Sequence, residues 1–135
     1  MKINQYLRLF LYGNVTHDRF YRSPAPQITC KDGFHISVQA GYFLYSSPKE
    51  DGLSNYTHVE CGFPSEEVAE LMEYIEELER DPKESIYAFV PVEIVDKLIE
   101  KHGGIDWDKV IEFLENRKAK DRNYNPMYGT ERRVF

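Results

Sequence analysis

The chain is poor in cysteine, has one tryptophan and contains no long apolar run, and each scarcity removes a class of protein. Two cysteines in 135 residues, Cys30 and Cys61, cannot make a disulfide framework. In a reducing compartment such thiols read as small buried hydrophobes. Apolar runs such as Leu9-Phe10-Leu11-Tyr12 fall far short of the ~20 residues needed to cross a bilayer. The N-terminus also lacks the basic-then-apolar pattern of an export signal. No membrane partner and a cytoplasmic location are therefore expected.

Basic residues are missing where they would matter for nucleic acid. From Glu50 to Glu79 there are ten acidic residues and no Lys or Arg, and the net charge is −6. Nucleic-acid affinity comes mainly from clustered cations, so nucleic acid is disfavoured as a partner. No Gly-rich phosphate loop, Gly-x-Ser-x-Gly elbow, His-Glu-x-x-His pair or Cys-x-x-Cys occurs. Binding is favoured over catalysis, with no catalytic residue and no cofactor expected.

What is present suffices for one domain. Hydrophobic residues make up 41% and aromatics 14%, enough to fill a core despite 30% charged residues. Residues 1–135 read as a single domain, with an aperiodic tail from about 118 that is mobile or wraps the domain. The first half is strand-rich and the second helix-rich. This order predicts an α+β fold with an antiparallel sheet of about four or five strands packed against two or three helices.

Several elements are legible in detail. Leu7, Leu9 and Leu11 alternate with Tyr6, Arg8, Phe10 and Tyr12, the period of a strand, while residues 14–27 read as a long connection. Asp32-Gly33 marks a hairpin turn in which both residues need positive φ. In its second arm Ile36, Val38, Ala40 and Leu44 share one face. Thr57, Val59, Cys61 and Phe63 alternate with His58 and Glu60 along another strand, with Cys61 in the core and His58 exposed. Ser65 caps a predicted helix that buries Val68, Leu71, Met72, Ile75 and Leu78 and ends at Pro82. "SIYAFV" is a strand. Pro91 opens a helix that Gly103 stops, and Asp106 caps a third that buries Trp107, Val110, Ile111 and Leu114.

Three constellations are candidates for function. Glu70, Glu73 and Glu77 lie on the outer side of the predicted acidic helix and could dock a basic partner. The segments "HDRFYRSP" and "RNYNPMYGTERRVF", represented by Arg19 and Tyr124, carry the Tyr and Arg enriched at protein interfaces. An alternative ligand-binding or enzymatic site uses a polar sheet face with His35, Gln39, Tyr45, His58 and Glu60, and with Ser37 and Phe43 beside them. If the strands are neighbours, His35, His58 and Glu60 could form a general acid–base set. Cys30-x4-His35 and His58-x2-Cys61 offer metal-ligand types. However, His58 and Cys61 should point to opposite faces and neither pair has knuckle spacing, so no metal is expected.

The stretches "ISVQAGYFLYSSPK", "YTHVECGFPS" and "IYAFVPVEIVDKLIEKHGGI" resemble a family of small uncharacterised proteins carried by bacteriophages and related mobile elements. The resemblance covers roughly residues 36–105. It implies a viral setting inside a bacterial host and little else. Taken with the small size, the acidic surface and the absence of a catalytic motif, it leads to the expectation of an accessory protein that binds a host protein and inhibits a defence complex in the manner of anti-CRISPR proteins. The resemblance brings no enzyme motif or established activity with it.

Overall fold

A computed structural model describes residues 2–14, 19–22, 25–53 and 55–120. The chain runs α1 (Ile3–Arg8), β1 (Leu11–Asn14), β2 (Arg19–Arg22), β3 (Ile28–Thr29), β4 (His35–Gln39), β5 (His58–Gly62) and a 3₁₀ helix (Ala69–Tyr74). A second 3₁₀ turn (Pro82–Glu84), β6 (Ile86–Pro91), α2 (Val92–Lys101) and α3 (Trp107–Lys120) follow. Strands β3 to β6 form a four-stranded antiparallel meander, and β1 pairs with β2 in a separate ribbon. The fold is α+β.

The β3–β4 hairpin forms where Asp32-Gly33 is. Gly33 donates to the Cys30 carbonyl at 2.9 Å, and Asp32 Oδ1 accepts the Phe34 N–H at 2.9 Å. Only Gly33, at φ 96°, is left-handed, so one positive-φ residue suffices where two were expected. On β4 and β5 the alternation holds: Ile36, Val38, Ala40, Val59 and Cys61 are buried, and both thiols are free. Helix α2 ends as its glycines demand. Gly104 N–H reaches the Ile99 carbonyl at 2.9 Å and Gly103 N–H that of Glu100 at 3.0 Å, with both glycines at φ near 90°. Pro91 is the residue before this helix rather than its first turn.

Several expectations are corrected. The segment read as a first strand begins instead with α1, because Ile3, Tyr6, Leu7 and Phe10 recur at helical spacing and are all buried. Ile3 N–H anchors this helix on Asp96 Oδ1 of α2 at 2.8 Å, and Asn4 grips both backbone groups of Tyr56 at 2.8 and 3.0 Å. The long connection over 14–27 contains strand β2.

The predicted α-helix after Ser65 is only the short 3₁₀ helix. Ser65 Oγ accepts the His35 N–H at 3.0 Å instead of capping a helix. Ile75 is drawn into a bridge with Tyr87, and Glu76 N–H bonds the Ile86 carbonyl at 3.0 Å, so the chain becomes extended where the stripe required helix. Val68 and Leu71 are buried, but Leu78 is 81% exposed.

The inward side of α3 is Val110, Phe113 and Leu114, while Trp107 and Ile111 are exposed. Phe63 lies outward at φ 52°, His58 is half-buried, and Leu44 sits in a loop beyond the end of β4. Helix α3 extends through Lys120, past the expected start of the tail at about 118.

Candidate functional site

The loop after β4 is built around one hydroxyl. Ser46 is fully buried; its Oγ accepts the Gly41 N–H at 3.0 Å and lies 3.1 Å from the carbonyls of Gly41 and Pro48, to one of which it can donate. Tyr42 N–H donates to Asp51 Oδ1 at 2.9 Å, and Tyr45 N–H to Glu60 Oε1 at 3.1 Å. Phe89 N–H donates to the Tyr45 carbonyl at 3.1 Å, and Ser47 pairs with His58 through both backbone groups, at 3.0 and 3.3 Å. The loop is thus held from β5, from β6 and from the 50s segment at once.

This framework presents apolar side chains to water. Phe43 is 88% exposed, Tyr42 and Tyr45 are exposed beside it, and the Tyr42 and Phe43 rings meet edge-on with centroids 4.7 Å apart. Tyr45 pairs with the exposed Phe89, centroids 5.8 Å apart, and Lys49 Nζ lies 5.7 Å from the centre of the Tyr45 ring. The position of Phe89 follows from a bulge. Val59 pairs with Val90 and Cys61 with Tyr87, so Ala88 and Phe89 both stand opposite Glu60. Phe89 takes up the extra residue at φ 51°, a conformation that bulky side chains rarely adopt.

The polar sheet face is largely committed to structure. Gln39 and Glu60 are cross-strand partners, but the Gln39 amide bonds both backbone groups of Ala25, at 3.1 and 2.7 Å, and Glu60 holds Tyr45. His58 Nδ1 lies 2.9 Å from Thr57 Oγ1. The β4–β5 register puts His35 level with the start of the segment after β5 and His58 level with the loop after β4. Six residues at ~3.3 Å each separate them, roughly 20 Å, so His35, His58 and Glu60 are not brought together as an acid–base set. Burial, and then Glu60, push the Cys61 thiol pKa up; burial, and then Asp32, push that of Cys30 to about 11. Neither is an activated nucleophile.

The acidic residues do not share a helix face. Glu70 and Glu73 sit three apart in the 3₁₀ helix and therefore on one ridge, while Glu77 lies beyond it. Glu70 is 3.7 Å from Lys101 Nζ and Glu77 is 3.6 Å from Arg80 Nε, so cations from outside and from the end of the run partly neutralise it. Arg19 opens β2, and Tyr124 lies outside the described residues. Among the described residues no group of three or more His, Cys, Asp or Glu could hold a metal ion, and no helix is long and apolar enough to cross a membrane.

Sequence reasoning missed the partnership of Tyr45 with Phe89. A Phe in a strand gives no sign that it occupies a left-handed bulge. It also missed a second cluster: His102, buried at the end of α2, stacks on Phe34 with centroids 4.1 Å apart. Its Nδ1 is 2.6 Å from Asp32 Oδ2, and its Nε2 is 3.7 Å from Glu66 Oε1. No protein-family model matches the chain, and neither the curated proteins nor the solved structures contain a significant match.

Proposed function

We propose that the protein acts by binding another protein through the aromatic loop Tyr42–Tyr45 and its neighbour Phe89. The observation that carries this reading is Phe43, almost wholly exposed at the tip of a loop pinned by hydrogen bonds along its length. An apolar side chain held rigidly in water loses little further entropy on docking, so its burial goes largely into affinity. Exposed aromatics gathered in this way are typical of contact surfaces.

The acidic residues Glu70, Glu73 and Glu77 fit the same reading as sources of long-range attraction for a basic partner. A host protein as that partner, and inhibition of a defence complex as the consequence, rest on the phage-like sequence stretches alone. The polar sheet face has no geometric support as a reaction centre.

The test is capture from a bacterial lysate by wild-type protein and by Phe43→Ala, with bound proteins quantified by mass spectrometry. One stoichiometric protein that is retained by the wild type and at least tenfold depleted by Phe43→Ala is expected. Identical captured sets would remove the loop from the interface.

A further inference from the structure

Beside Tyr45, the sheet edge holds a groove of about 170 Å³ lined by Tyr45, Glu76, Glu77, Arg80, Ser85 and Ile86. The backbone forms it: the Glu76 N–H bond to Ile86 fixes one wall against β6, and the Tyr45 carbonyl bond to Phe89 fixes the other. We infer that this groove receives a single arginine side chain of the protein partner, so that the partner presents a basic segment next to the pocket that accepts Phe43. This deepens the docking reading and rests on it.

Three features select the ligand. The volume is that of one long side chain rather than a helix or a nucleotide. Its walls differ in chemistry: the Tyr45 ring offers a face for a planar cation, Ile86 offers apolar contact for methylenes, and Glu76 and Glu77 offer carboxylates. The Tyr45 ring already draws a cation of this chain, Lys49 Nζ at 5.7 Å from its centre, with which an incoming guanidinium competes. Among the described residues Arg80 is the one cation lining the groove, and it is spent on Glu77 in an exposed 3.6 Å pair. Glu76 has no ion-pair partner among the described residues.

Charge complementarity then sets the sign. Tyr45 N–H is held by Glu60, and Glu76 and Glu77 come from the run Glu50 to Glu79, which contains no Lys or Arg; with Arg80 paired to Glu77, Glu76 is the carboxylate left over in the groove. Guanidinium fits better than ammonium, because a flat fork can stack on a ring and meet a carboxylate with two N–H groups at once.

The experiment is a titration of the ¹⁵N-labelled full chain with N-acetyl-arginine amide, with N-acetyl-citrulline amide as the uncharged isostere and N-acetyl-lysine amide as a third arm. Saturable amide shifts at Tyr45, Glu76, Glu77 and Ile86 are expected with arginine. They should be at least fivefold smaller at equal concentration with citrulline, and abolished in Glu76→Lys/Glu77→Lys. Shifts equal for arginine and citrulline, or centred elsewhere, would overturn the inference, and a stronger response to lysine would overturn the choice of guanidinium. The wild-type comparison decides the matter even if the double variant is poorly folded. Loss of capture by Phe43→Ala without an arginine response would leave the docking loop standing and remove this groove. An arginine response with capture indifferent to Phe43 would do the reverse.

Discussion

The backbone carbonyl of Tyr45 accepts the amide hydrogen of Phe89 at 3.1 Å, so the aromatic loop and the bulged strand form one unit. The bulge leaves Phe89 at φ 51° and the residue 41% exposed. Left-handed backbone costs a non-glycine residue about 1–2 kcal/mol, and the partial burial of the ring returns a similar amount. Phe89→Gly should therefore leave Tm within about 4 °C of wild type while weakening partner capture. Phe89→Val, whose branched side chain resists positive φ, should lower Tm by more. Paired thermal melts and capture assays check both.

Leu71 and Leu78 fall on one stripe of a regular helix, but in the structure the first is fully buried and the second 81% exposed. Leu71→Ala should cost about 2–5 kcal/mol, as buried leucine truncations do. Leu78→Ala should stay within about 0.5 kcal/mol. Equal losses in urea melts would mean that the α-helix exists after all.

The Asp32 carboxyl is held below the usual carboxylate range, first by the Phe34 N–H and then by His102. A depressed folded-state pKa contributes stability that is full above the unfolded value, about 3.9, and is lost as pH falls through the folded one. Asn at this position can still accept from Phe34 but carries no charge. The Tm advantage of wild type over Asp32→Asn should be constant from pH 5 to 7 as far as this carboxyl is concerned, and should shrink below about pH 4. A gap that is independent of pH down to about 2 would show that the ionised carboxylate contributes nothing.

Local rules made much of the fold readable. Gly33 and Gly103-Gly104 announce their turns because only glycine takes up positive φ without strain, and Val59 and Cys61 alternate as a half-buried strand must. Where two periods overlapped, tertiary contacts decided. Leu7, Leu9 and Leu11 satisfy a strand, but Ile3, Tyr6, Leu7 and Phe10 bury a helical face against α2, which a strand there could not.

Beyond Ser65 the helix lost to pairing that is invisible locally: Ile75 found Tyr87, twelve residues on and past a proline turn. The candidate site was half legible. Phe43 and Tyr45 stood out as aromatics on a polar face, but Phe89 joined them only through a bulge. His35 and His58 separated because their distance depends on register, which residue types alone do not specify.

The most direct test of the docking loop is site-specific photocrosslinking in a bacterial lysate. p-Benzoylphenylalanine is placed at position 43, or at position 111 on the exposed side of α3, where Trp107 and Ile111 form the rival apolar surface. One discrete adduct from position 43 and none from position 111 is the expected result. Adducts from position 111 with none from 43 would contradict it and move the interface to α3.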